Sequence, residues 1–589
     1  MILQSLTQYY EALCAAGKIP TPGWSDEKVS YGLDVDADGK PQHMYCLKTV
    51  RDGGTKAVPR TMVLPARVKK TSGKRSNFIS ENAQYLLGLC KGKDALREDD
   101  AAKNARECFD CAAKCHHEIL DGTDDAAARA VCAFFDSWDV EAAQESSLYA
   151  EYAEDLNAGA NVVLMVNGKF AQEYDAIRKA WQQHYDGGDD ESGERMRCLV
   201  TGEQVVPASV HPSIKGVYGA QSSGAALVSF NADAFCSFGR NGEQNLNAPV
   251  GKYAAFAYTS ALNRLLSDAE HVVRIGETTV VFWAKSAERT YQDLFAACLN
   301  GDGGKLTESD LRAVMNKLAR GEPIDSDGAT LDPESEFSIL GISPNAARLC
   351  VRFFLQNSFG QFMSNLQKHY ELTDIVSDGR NQYKCIPLWL LLRETVNEKA
   401  QTKTPKAHMA ADTLNAILSG TAYPATLFQL TEVRIRADRN MNRARAAIIK
   451  AYLLKKYPER YGEVIQVELN EATTYAPYVL GRLFAVLESI QQDANPTITT
   501  TIKDKYFSSA CATPAVVFPT LIKLAQSHLK KMDTGRRIYF EKKLTALMGM
   551  LTDSYPTHLE LRDQGIFQLG YYHETQKRYE KKTKNTEAE

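Results

Sequence analysis

The chain has 589 residues, 44% of them hydrophobic, and a formal net charge of −4, which provides for roughly two to four domains with well-formed cores. No apolar run is long enough to cross a bilayer and no secretory signal leads the sequence, so neither a membrane-spanning helix nor secretion is expected. Thirteen cysteines in that setting imply reduced thiols in a cytoplasm rather than a disulfide scaffold.

The charge is segregated. Acidic runs fall at residues 186–194 and 322–336, whereas residues 434–460 carry nine Lys or Arg against two acids. That basic run is either a helix facing phosphates or a solvated helix face.

In chain order, a polar amphipathic helix comes first. Strands over residues 27–34 and 42–50 then flank Asp36-Ala37-Asp38-Gly39, an Asp-Gly hairpin signal. Asp34, Asp36, Asp38 and Gly39 imitate the start of a calcium loop, but the twelfth position is Tyr45 rather than Glu and strands flank it, which argues against calcium. Residues 79–156 read as a helical insertion. A strand over 161–166, a helix over 170–185 and a helix over 252–266 follow. The stretch VVRIGETTVVFW suits a two-strand hairpin because its β-branched and aromatic residues fit a pleated surface. Residues 337–341 and 349–354 read as two strands separated by Ser343-Pro344-Asn345, or as a strand leading into a short helix.

Beyond residue 386 strands disappear. Val479, Leu480, Leu483, Phe484, Leu487 and Ile490 recur at three- and four-residue steps, and Ile538, Leu544, Leu547, Met548 and Leu551 repeat the pattern of an amphipathic helix. The expected fold class is therefore α+β. A mixed N-terminal region of short strands spans residues 1–385, and an all-α bundle spans 386–589, with a polar, disordered tail over 577–589.

Catalytic motifs are missing. There is no phosphate loop ending in Gly-Lys-Ser/Thr and no Gly-x-Ser-x-Gly elbow. Cys108, Cys111, Cys115, His116 and His117 have zinc-like spacing, but three thiols along one helix read better as small buried residues. Cys198 with His211 lacks two further ligands. No cofactor, no metal and no enzymatic activity are expected.

The positive signals are of binding type. Lys69, Lys70, Lys74 and Arg75 surround Thr71-Ser72-Gly73 and lead to Asn77, a loop able to neutralise phosphates while Asn77 enters a groove. Gln221, Ser222, Ser223 and Gly224 place two hydroxyls and an amide before a glycine that lets backbone N–H groups approach a ligand. Asn231, Gln244, Asn245 and Asn247 add side chains that both donate and accept, as base-edge reading requires.

The segments MILQSLTQYYEAL, GKIPTPGWSDEKVSYGLDVDADGK, RVKKTSGKRSNFISENAQYLLG, IKGVYGAQSSGAALVSFNADAFCSFGRNGEQNLNAPVGKYAAFAYTSALNRLL and ILGISPNAARLCVRFF stand in this order. In wording and order they resemble the large subunit of the type I-C CRISPR Cascade complex, over about the first two thirds of the chain. The resemblance implies a non-catalytic subunit that recognises the protospacer-adjacent motif in duplex DNA, promotes unwinding and R-loop formation, stabilises the displaced strand and helps recruit the helicase-nuclease. The partners it implies are guide RNA, target double-stranded DNA, the Cascade backbone and 5′-end subunits and a small subunit, with no membrane. It assigns motif contacts to the two polar loops, and displaced-strand phosphates to Arg434, Arg436, Arg439, Arg443 and Arg445. A metal-dependent nuclease and a purely structural scaffold are the competing classes.

Overall fold

The Asp-Gly signal folds as a hairpin: Tyr31–Val35 pairs antiparallel with Pro41–Cys46. The Asp36 carboxylate accepts from the backbone N–H groups of Asp38 (3.0 Å) and Lys40 (2.9 Å), and Asp34 accepts from Gly168 N–H (2.8 Å). These carboxylates thus close turns. Gly39 is required twice over, because its φ is +78° and a Cβ there would stand 2.4 Å from the backbone nitrogen of Phe134.

The computed structural model describes residues 1–50, 57–68, 74–89, 98–143, 146–187, 194–230, 232–237, 240, 244–268, 270–300, 308–326, 329–377, 385–401, 403–551 and 554–586. The architecture is α+β, with short strands in the N-terminal half and only helices beyond Ser358 among the described residues. Two units emerge from the packing. The first comprises Tyr10–His211 and Phe230–Tyr258; the second comprises Met1–Tyr9, Pro212–Ser229 and Thr259–Glu589.

In the first unit Tyr31–Val35 runs parallel to Asn161–Val166, and Ser80–Asn82 adds antiparallel to the latter. A parallel pair needs a crossover, and the chain between them supplies it with the helices Glu98–Leu120 and Ala126–Ser137. Leu33, Val131, Phe134, Val163 and Phe78 fill the core beneath. The segment read as a helix over 170–185 begins instead as the short strand Lys169–Phe170 and a 3-10 turn, with the helix starting at Asp175.

In the second unit four antiparallel strands stand in the order Val272–Ile275, Thr278–Ala284, Glu336–Asn345 and Arg348–Ser358. Ser343-Pro344-Asn345 ends a strand rather than separating two, since each pairs with a residue of the next strand. Phe282, Phe295, Phe337 and Phe359 pack in tilted and edge-on contacts, successive centroids 4.7 to 5.2 Å apart, under the helical layer. The start of the Ile2–Ala15 helix also meets the sheet, through Ser5 to Ser338 (2.9 Å) and Tyr9 beside Trp283.

The helix Ala476–Ala494 departs from a simple amphipathic pattern, because nearly every side chain from Pro477 to Leu487 is buried, Arg482 included. It crosses Leu561–Thr586 at two glycines. Arg482 Nε meets Glu574 Oε2 at 3.0 Å, which lets a charged residue face inward. In Thr534–Gly549, Leu544 and Leu547 are buried while Ile538 and Met548 are exposed, so only part of that expected face is core. The helix Leu561–Thr586 enters the segment read as a disordered tail and runs to Thr586, the last three residues of that segment lying outside the described residues, and Arg578 anchors it by donating to Ser489 (3.1 Å) and Gln492 (2.7 Å).

One buried acid makes stability pH-dependent. Glu432 accepts from Gln568 Nε2 at 2.7 Å, and its other carboxyl oxygen has no partner among the described residues. Burial pushes its carboxyl up to about 7. The folded state therefore holds this proton more tightly than the unfolded chain. The resulting stabilisation is complete below about pH 4.3 and is lost as pH rises through about 7, a swing on the order of 3 kcal/mol. Glu432→Gln carries no titrating proton, so its stability relative to the parent should rise by a few kcal/mol across that window in denaturation curves; a flat difference would contradict the assignment.

Candidate nucleic-acid interface

Asn77 is 3% exposed. Its Oδ1 accepts from Val68 N–H at 2.8 Å and its Nδ2 donates to Glu81 Oε2 at 2.6 Å, so both ends of the amide are used inside the first unit. The expectation that Asn77 enters a groove is revised: it pins the loop. The next residues are held as firmly. Ile79, β-branched at φ +66°, donates to His116 Nε2 at 2.9 Å and accepts from Leu164 N–H at 3.0 Å, a left-handed placement that costs about 1–3 kcal/mol and persists only because buried partners enforce it. Lys74 pairs with Glu107, and Arg75 is exposed. Lys69 and Lys70 lie outside the described residues.

This packing also settles the thiol cluster. Burial keeps His116 at about 4 and hence neutral, with Nδ1 bonded to Ala112 O at 2.8 Å. Cys111 and Cys115 point at the carbonyls of Lys74 and Ser76, so the five residues do not converge on a point. Cys198 and His211 are likewise bonded elsewhere. Burial raises the Cys198 thiol, but the N–H groups of Thr201 and Gly251 aimed at its sulfur bring it below the usual value. His211 meets Tyr258 Oη at 2.7 Å.

The loop at residues 212–229, in the second unit, has the opposite character. Ile214 and Ala225 exchange backbone hydrogen bonds at 2.8 and 2.9 Å, and Ala226 bonds to Ala347 and Leu349 on the hairpin of the sheet. Asn263 clamps one side, accepting from Lys215 N–H (2.8 Å) and donating to Ser213 O (3.1 Å). Between these ties Gly224 N–H donates to Gln221 O at 2.9 Å, closing a turn that leaves Gln221, Ser222 and Ser223 exposed. Gly224 has φ +96°, and a Cβ there would lie 2.9 Å from Ile214 O, so only glycine fits. A rigid sheet thus presents three uncharged polar side chains.

Beside them lie groups that motif reading missed. Tyr218 is 51% exposed, its N–H bonds to Thr279 Oγ1 at 3.1 Å, and the Arg274 guanidinium sits 4.9 Å from its ring centroid. Lys215 is exposed on the same loop. A cation, an aromatic face and amide or hydroxyl groups on one loop are the ingredients of nucleic-acid contact. Tyr218 and Lys215 sit inside the stretch already singled out, whereas Arg274 lies far along the chain and gives no local signal.

In the first unit Asn247 is structural. It accepts from Ser237 N–H at 2.9 Å and donates to Arg240 O at 3.1 Å, tying a loop. Gln244 and Asn245 fall in the short helix Gln244–Asn247, and Asn231 lies outside the described residues. The same unit holds a groove of about 420 Å³ lined by Trp24, Arg60, Gln172 and Arg178 among others, with Arg178 5.2 Å from the Trp24 ring centroid.

The basic run is mostly consumed by the fold. Arg445 is 5% exposed and bonds to Glu394 (2.7 Å) and Asp438 (2.6 Å). Arg434 pairs with Asp438, Arg436 donates to Gln564 (2.5 Å) and Arg443 to Ile375 O (3.4 Å). Lys450 donates to the carbonyls of Glu371 and Leu372 at a helix end, and burial lowers it to about 8. Arg439, exposed with φ +52°, is the exception among the five arginines, with no partner among the described residues. The phosphate-contact role is therefore revised for Arg445, which serves as a buried tie, and Arg439 is the best placed of the five to meet solvent.

A family model described as CRISPR-associated protein (Cas_Csd1) matches residues 6–579. The chain belongs to this family. As a CRISPR-associated protein it shares the family's pattern along nearly its whole length, including the helical C-terminal region where the sequence blocks quoted above give out. No curated protein matches it. No helix among the described residues is long and apolar enough to cross a membrane, and every described cysteine is free.

Proposed function

We propose that the chain is the non-catalytic large subunit of a type I-C Cascade complex in the cytoplasm. In this reading it recognises the protospacer-adjacent motif in duplex DNA, promotes opening of the duplex and formation of the R-loop, stabilises the displaced strand and offers a docking surface to the helicase-nuclease. The guide RNA, held by backbone and 5′-end subunits with a small subunit alongside, reads the target by base pairing, while protein reads the short motif, the division of labour known for RNA-guided recognition.

The observation that supports the reading most is the turn Gln221-Ser222-Ser223-Gly224, rigidly seated on a sheet and flanked by Lys215 and the Tyr218–Arg274 pair. Uncharged donor-acceptor side chains suit base edges, and the adjacent cations suit phosphates. In a reconstituted guide complex Gln221→Ala should weaken binding to motif-bearing duplex by about 10- to 100-fold, one good base contact being worth about 1–3 kcal/mol. Binding to single-stranded targets, which need no motif and no strand opening, should be unchanged. Equal losses on both substrates would sink the groove-reading role.

A further inference from the structure

The helical insertion also brings together side chains that the DNA-recognition reading does not use. The helices Glu98–Leu120 and Ala126–Ser137 form a hairpin whose turn passes through Gly122 at φ +87°. His116 and Phe109 both pack on Phe135, with centroids 4.4 and 5.5 Å away, so the two helices are fixed relative to each other. At the junction each side contributes two potential ligands four residues apart, a spacing that puts both on one helix face. His117 and Asp121 come from the end of the first helix and the residue that follows it; Cys132 and Asp136 come from the second.

His117 Nδ1 lies 3.0 Å from Asp121 Oδ1, and Cys132 Sγ lies 4.0 Å from the same oxygen. One ligand atom from each of the three residues falls within 4.8 Å of the others. A tetrahedral zinc ion, with bonds of about 2.0 Å to nitrogen or oxygen and about 2.3 Å to sulfur, sets its ligands roughly 3.3–3.5 Å apart, so the triangle is close to the required size. The other ring nitrogen of His117 meets Asp136 Oδ1 at 3.1 Å. That carboxylate–histidine pairing is the one that fixes the tautomer and orientation of metal-binding imidazoles.

We propose that His117, Asp121 and Cys132 form a zinc site, with Asp136 orienting His117 through Nε2–H and the fourth position open to solvent. The mixed nitrogen, oxygen and sulfur set selects a borderline-soft ion and disfavours magnesium and calcium, which take oxygen ligands. Binding releases the Cys132 thiol proton to solvent as the thiolate joins the metal. The ion would staple the hairpin of the insertion. This assignment stands independently of the DNA-binding role.

The test uses the tag-free full-length chain, stripped by a chelator, kept reduced with a phosphine and titrated with Co²⁺ as a spectroscopic stand-in. The expected result is a thiolate-to-cobalt charge-transfer band that saturates at one equivalent and is abolished by Zn²⁺. Cys132→Ser should remove the band. Asp136→Asn should retain it with affinity lowered about 10- to 100-fold, and Cys111→Ser should leave it unchanged. The absence of a saturable band, or a band that survives Cys132→Ser, would overturn the proposal and leave the cluster as a surface network of ion pairs.

Discussion

Gly481→Ala is expected to destabilise the protein by about 3 kcal/mol or more, the upper end of what overpacking costs. The helices Ala476–Ala494 and Leu561–Thr586 touch backbone to backbone: a Cβ on Gly481 would stand 1.9 Å from Phe567 O, and one on Gly570 would stand 2.2 Å from Tyr478 O. No side chain can rotate aside to make room. The helices must separate, and with them go Tyr571 to Glu488 (2.7 Å), Tyr478 to His573 (2.7 Å) and Arg482 to Glu574 (3.0 Å), all buried. Buried polar groups left without partners add about 1–3 kcal/mol each. Gly549→Ala is the control. Its Cβ meets nothing within 4 Å, and helix propensity predicts a gain of up to about 1 kcal/mol. Denaturation midpoints that move alike for both variants would refute the close-crossing account.

Arg445→Ala should also act on the fold rather than on DNA. Its removal strands Glu394 and deprives Asp438 of one of its two arginine partners; breaking a buried pair from one side costs about 3–5 kcal/mol. The salt dependence of DNA binding by the surviving folded protein should match the parent, because no phosphate contact is lost. Arg439→Ala should do the reverse, with stability nearly unchanged and a shallower slope. A flattened slope for Arg445→Ala at unchanged stability would restore the sequence-based assignment.

These two cases mark where local sequence stops being informative. The hairpin at Asp36 to Gly39, the strand Asn161–Val166 and the pair Val272–Ile275 and Thr278–Ala284 were legible because alternation and turn chemistry are local properties. Arg445 was not, since its partner Glu394 lies 51 residues away. Asn77 belongs to a polar stretch that reads as exposed, yet Glu81 and the Val68 N–H satisfy it in the interior.

The change to an all-helical pattern was visible, but among the described residues it falls after Ser358 rather than at residue 386, and the way the core spans it was not legible. Phe282, Phe337, Leu414, Ile448 and Phe567 belong to one apolar cluster, so strands and later helices share an interior. Within the candidate interface, the Gln221 turn and its glycine were readable from composition. The Tyr218–Arg274 contact needed the sheet that brings residue 274 beneath the loop.

The most direct test of the central claim is duplex-DNA binding by a reconstituted guide-RNA complex, with and without this chain, on targets whose adjacent motif is intact or scrambled. Tight binding only when chain and intact motif are both present is the predicted result. Binding that is indifferent to the motif, or to the chain, would contradict it.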